Sequence, residues 1–204
     1  MDVIRFFDAS HSALHAGEVY DGRTPNIDRW LAGLTEAQLR VRPQGMNSIL
    51  WLLWHMARTE DAAINPVVAA RLQVLDDEWM RRLAPGRRDI GTAMTDDEVT
   101  DFSARADCAA VLAYRTAVGR RTREVVRALS PAAWDEMIGV EDLMRAHAAG
   151  AFRVDLTQVI AIGTHPWQGH ARGDQLSQTA IRHNAMHVGE AVTIRSAAGF
   201  PLGV

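Results

Sequence analysis

The apolar positions of this chain fall mainly at helical spacing, and four long segments carry most of them. The first spans roughly 9–34; its latter part, IDRWLAGL, has the helical period, and Pro25 must start, kink or interrupt it. The second opens at Asn47 or Ser48, both good N-cap residues, just after the breakers Pro43 and Gly45. It runs through SILWLLWHMARTEDAAI to about Ile64, ahead of Pro66. A shorter helix is expected in 67–83, followed by the loop APGRRDIGT. The third segment starts at or soon after the capping-box pattern Thr95-Asp-Asp-Glu98 and continues through ADCAAVLAYRTAVGRRTREVVRAL. It stops before Ser130-Pro131, which begins a short helical turn. The fourth opens at the N-cap Asp174, runs through QLSQTAIRHNAMHVGEAVTIRSAA and ends at Gly199 and Pro201. Only VDLTQVIAI, at 154–162, is rich in the β-branched residues that favour strands.

This pattern predicts an all-α fold, a four-helix bundle with long connections at 65–95 and 135–173. At 204 residues the chain suits one domain over 1–204. Its balance of 48% apolar and 23% charged residues is that of an ordinary globular protein. A net charge of −3 with no basic run argues against nucleic acid or an anionic membrane as partner. The longest apolar run, ILWLLW, is too short to span a bilayer, and MDVIRFFDASHS lacks the features of a signal peptide. One cysteine, Cys108, leaves no intramolecular disulfide and no four-cysteine zinc site, which fits a reducing, cytoplasmic setting.

The chemistry lies in the histidines. Residues four apart on a helix sit only about 40° apart around its axis, so His183 and His187 share one face. That face also carries Leu176, Ala180, Ala191, Ile194 and Glu190, whereas Gln178, Arg182 and Arg195 lie opposite. The pair should therefore turn toward the bundle core. His55 shares its face with Trp51, Leu52, Met56 and Thr59, although so apolar a helix orients it weakly. Unpaired burial of a polar group costs on the order of 1–3 kcal/mol. Three inward imidazoles either hydrogen-bond within the core or share one divalent cation, and the spacing alone does not choose. The zinc-protease motif His-Glu-x-x-His is absent, because Asn184 follows His183.

The order of motifs adds a resemblance. Asn47-Ser48 lead through Trp51 to His55; then come His183-x-x-x-His187-x-Gly189-Glu190 and Gly199-Phe200-Pro201. With the connection GLTEAQLRVRP at 33–43, this resembles the DinB-like (YfiT-like) metal-binding superfamily of four-helix bundles across most of the chain. The resemblance implies one divalent metal, zinc or nickel in type, held by His55, His183 and His187, and a homodimer. It also implies use of a low-molecular-weight thiol such as mycothiol with an electrophile, in S-transfer or thiol-dependent isomerisation. A metal-dependent hydrolase and a non-enzymatic, stress-associated metal-binding protein are the alternatives. Glu190 stands where the family commonly has Gln, so it is expected as a carboxylate behind the metal, a fourth ligand or a proton relay.

Further candidates weigh differently. His165, Trp167 and His170 lie in THPWQGHARGD, which reads either as a substrate-binding lid or as a surface turn whose Trp plugs the bundle end. Trp51 is expected in the core or in the pocket wall, beside Trp30 and Trp54. Cys108 reads as a structural residue, and GRRTR at 119–123 as a solvated helix face. Glu60 and Asp61 can orient the histidines, but the pattern favours charges on the helix surface.

Overall fold

A computed structural model describes residues 2–20 and 26–201, so the break expected at Pro25 lies outside the described residues. The elements used below are α1 (Val3–Ser12), α2 (Asn26–Leu31), α3 (Ile49–Ala63) and α4 (Asp77–Leu83). They continue with α5 (Asp96–Arg105), α6 (Cys108–Ala128), α7 (Val140–Ala148) and α8 (Thr157–Ala161). The last helix, α9, runs from Arg172 to Ala197 and contains a π-helical stretch, Ser177–His183. All regular elements among the described residues are helices, and none is long and apolar enough to cross a membrane.

Helix α3 sits at the centre. Ser48 caps it, its hydroxyl accepting the Trp51 N–H at 3.0 Å, and all fifteen of its residues are buried. An apolar side chain buried this way contributes about 1.5–3 kcal/mol. A helix buried all round has no solvated side on which to leave its charges. Arg58, Glu60 and Asp61 are each 0% exposed, which corrects the expectation of surface charge at Glu60 and Asp61. The reason is pairing. Arg58 meets Asp61 at 3.1 Å and the Tyr114 hydroxyl at 2.9 Å. Asp61 also accepts the backbone N–H groups of Val74 and Leu75 at 2.8 and 2.9 Å, pinning the chain beyond the helix.

The ends differ from the periodicity. Helix α3 does not stop before Pro66 but continues as a π-helical turn, Ile64–Val68, with Ala69 N–H donating to the Ile64 carbonyl. The wider turn absorbs the hydrogen bond that proline cannot make. Between Ala69 and Asp76 the chain is not helical, so the helix expected over 67–83 shrinks to α4. The first bundle helix, α1, begins upstream of the expected stretch and overlaps only its start, and of IDRWLAGL only 27–31 are helical, in the short α2. Segment three divides into α5 and α6, because Asp107 caps a new helix through the Ala110 N–H at 2.8 Å. Helix α9 starts two residues before Asp174, without a side-chain cap. Within VDLTQVIAI, despite its β-branched residues, Thr157–Ala161 form α8. The long connection is pinned instead by residues 136–138 pairing antiparallel with 169–172, around a single bridge between Met137 and Ala171.

The chain just beyond α1 approaches helix α6 closely at Gly119. A Cβ there would lie 2.5 Å from His15 Nδ1 and 2.9 Å from Cε1, well inside contact distance. Gly119→Ala is expected to destabilise the fold by about 1–3 kcal/mol, as overpacking does. Urea denaturation checks this, and an unchanged midpoint would contradict the close approach.

Candidate metal centre

Three imidazoles converge between α3 and α9. His183 Nε2 lies 3.2 Å from His55 Nε2 and 3.2 Å from His187 Nε2. Tetrahedral nitrogen ligands at the usual zinc–nitrogen length stand about 3.3 Å apart. His55 and His187 are buried, and His183 is partly exposed, so the centre lies near the surface beside the exposed Met186.

The far nitrogens fix which atoms face inward. His55 Nδ1 donates to the Ile90 carbonyl at 2.5 Å. The 89–93 loop reaches that position because Gly91 takes φ +83° and has no side chain to meet Trp54; a Cβ there would lie 2.5 Å from its ring. His187 Nδ1 donates to Glu190 Oε2 at 2.8 Å, and Asn47 Nδ2 donates to Glu190 Oε1 at 3.1 Å. These bonds place the protons of His55 and His187 on Nδ1 and turn both Nε2 lone pairs toward His183. A proton on His183 Nε2 can satisfy one of those lone pairs, not both. His183 Nδ1 is buried with no partner. Three nitrogen donors that cannot satisfy one another are a donor set suited to a cation.

Electrostatics agree. Burial lowers His55 to about 4, and burial with the neighbouring His55 and His187 lowers His183 to about 3, so both are neutral near pH 7. Neutral imidazole is the ligating form. Glu190 is held below the ordinary carboxylate value first by its hydrogen bond to His187. Its carboxylate therefore sits behind His187, not among the three converging atoms.

Trp51 stacks on His55 with centroids 4.7 Å apart and planes 10° apart, while its indole donates to Met94 Sδ at 3.1 Å. Of the turn residues, His165 is buried and packs with Trp167 and Phe152 in a separate cavity. His170 lines neither place; its backbone carbonyl accepts from Ile138. Cys108 is buried, and burial pushes its thiol up, away from nucleophilic use. Arg120 and Arg123, from GRRTR, hold the carbonyls of Glu18 and Val19 rather than projecting freely.

A second convergence, at His11, His15 and Glu60, is not among the candidates the sequence singles out. His11 Nε2 and His15 Nε2 each lie 3.0 Å from an oxygen of Glu60, and all three residues are fully buried. Thr122 donates to Glu60 at 2.6 Å and Asn184 at 2.7 Å, so this carboxylate accepts four bonds. Burial pushes Glu60 up, but His15 and His11 outweigh it and hold the group well below its ordinary value. Burial takes His15 down to about 3. Four bonds thus fill the acceptor sites of one anion, Glu60, with the buried Arg115 guanidinium nearby as counter-charge, while His15 Nδ1 and Asn184 Oδ1 are buried without a partner. Asn184 directly follows His183, so the network also anchors the helix that presents the first centre. The signal was available: His11 and His15 have the spacing of His183 and His187.

A family model described as the DinB superfamily matches residues 20–191, which include the three converging histidines and Glu190 and leave out His11 and His15. The comparison with curated proteins gives no match.

Proposed function

The chain belongs to the DinB superfamily, and from that premise we propose that it is a divalent-metal enzyme acting on a low-molecular-weight thiol and an electrophile. The metal ligands in this reading are His55, His183 and His187, and zinc or nickel suits three imidazoles. A metal held there would lower the pKa of a bound thiol toward neutrality and polarise an electrophile. The observation that carries the reading is the inward turn of the Nε2 atoms, with three protein donors converging among the described residues. Such a set leaves room for an outside ligand, as catalytic sites do.

The chain's own residues divide the remaining work. Ile90 and Glu190 fix the tautomers and ring planes of His55 and His187. Asn47 holds Glu190 in place, and Trp51 walls one side of His55. S-transfer and thiol-dependent isomerisation, including use of mycothiol, are the reaction classes that family resemblance suggests. Metal-dependent hydrolysis would use the same three donors. A purely structural metal site would be closed by a fourth protein ligand, and Glu190, which lies behind His187, does not supply one.

The test is conjugation of mycothiol, bacillithiol or glutathione to 1-chloro-2,4-dinitrobenzene by the metal-loaded protein. Metal-dependent turnover lost in His183→Ala supports the reading. A rate no faster than buffer with all three thiols overturns it. Glu190→Gln is expected to keep the metal with affinity reduced about tenfold, as for other groups that orient a ligand. Competition with a chelator measures this, and complete loss of metal would make Glu190 a ligand instead.

A further inference from the structure

The long connection builds a cavity of its own, about 340 Å³, within the size range of small-molecule sites. Ile90, Leu156 and Val159 line it together with three rings, Phe152, His165 and Trp167. Phe152 lies 5.0 Å from His165 and 5.5 Å from Trp167 at steep angles, so the rings form a preformed aromatic wall. None of the three converging histidines lines the cavity, but Ile90 does, and its carbonyl is the one that holds His55.

His165 gives this apolar space a direction. It is 6% exposed, and its Nδ1 accepts the Trp167 N–H at 3.1 Å. The proton of the neutral ring is then on Nε2, and that N–H has no hydrogen-bond partner among the described residues. Burial lowers His165 from its ordinary value, which keeps the ring neutral near pH 7. The charges at the cavity are already matched. Asp89 is bound by Arg87 at 2.8 Å and by the Gly91 N–H at 2.8 Å, and Arg153 is paired with Glu98 at 2.7 Å. A neutral donor among paired charges suits a neutral acceptor better than a carboxylate.

We propose that this cavity binds a small, largely apolar carbonyl compound bearing an aromatic ring, whose oxygen accepts from His165 Nε2–H. The ring would lie against Phe152 and Trp167. As the electrophile of a thiol reaction, this compound rests on the function proposed above; as a bound molecule, it rests on the cavity alone.

The probe is 4-phenyl-2-butanone, titrated into the full chain and followed by saturation-transfer NMR and calorimetry. Saturable one-to-one binding is expected, with a dissociation constant below about 1 mM for so small a ligand. His165→Phe keeps the ring and removes the donor, and should weaken binding about tenfold. Val159→Trp fills the cavity and should abolish binding, with circular dichroism reporting that both variants fold. Non-saturable binding, or equal affinity in the wild type and both folded variants, overturns the proposal. Tighter binding of 4-phenylbutyrate than of the ketone overturns the neutral guest. Binding should persist in His183→Ala, whose metal content is measured in parallel. Ketone binding that survives while His183→Ala keeps its metal sinks the metal reading and leaves this one standing; the reverse pair of results does the opposite.

Discussion

His183→Ala is expected to purify without stoichiometric divalent metal, whereas the wild type, prepared without chelator or histidine tag, carries about one equivalent. The centre has three protein donors, and His183 is the one whose Nε2 lies 3.2 Å from both of the others. Removing it leaves His55 and His187 with no nitrogen between them. Loss of a group that merely orients a ligand already costs 10–100-fold in affinity; loss of a ligand should exceed about 100-fold. The fold should survive, because His183 is partly exposed and its Nδ1 makes no bond to lose. Elemental analysis and circular dichroism decide the matter together. Equal metal in variant and wild type, with the helical signal intact, would refute the assignment.

That centre was largely legible in the sequence, and the reasons are local. After Pro43 and Gly45 the sequence offers Asn47 or Ser48 as the cap of α3, and Ser48 is the one that caps it. Positions four apart on α9 bring His183 and His187 together, and Glu190, three further on, reaches His187. Contacts between distant residues were not legible. Glu60 reads as a surface charge until His11 of α1, His15 just beyond it, Thr122 of α6 and Asn184 of α9 are seen to enclose it. Asp61 reads the same way until the Val74 and Leu75 amides and the Tyr114 hydroxyl bind it. Helix α3 is buried on every side, so its sequence shows no separate polar face and periodicity cannot tell a solvated charge from a paired one. VDLTQVIAI shows the same limit of local pattern. Its β-branched residues favour a strand, but no partner strand exists among the described residues, and 157–161 close into a helical turn.

The largest effect on stability is expected at Glu60. Glu60→Leu removes the acceptor of four buried donors and leaves Arg115 with only Asp28 of the two carboxylates that act on it. Breaking a buried charged network by removing one partner costs about 3–5 kcal/mol, a large part of the roughly 5–15 kcal/mol that holds a domain together. Glu60→Gln keeps the shape and one acceptor, so it should cost less, about 1–3 kcal/mol. Urea denaturation of the metal-free protein measures both, and a loss under about 1 kcal/mol for Glu60→Leu would contradict the network. The same cluster sets the pH response. His15 falls from 6.5 when unfolded to about 3 when folded, so between those values the unfolded chain binds more protons. Its contribution is fully present above pH 6.5 and is lost as pH falls toward 3. Glu60, also lowered, acts in the same direction at more acid pH, below its unfolded value. Wild-type stability should therefore drop by about 1.5 kcal/mol between pH 6.5 and 5 from His15 alone, the slope steepening toward about 1.4 kcal/mol per unit as pH falls. His15→Gln keeps an N–H donor and removes the titration, so its stability should change less over that interval. A wild-type profile as flat as that of the variant would show that His15 is not the buried neutral group described.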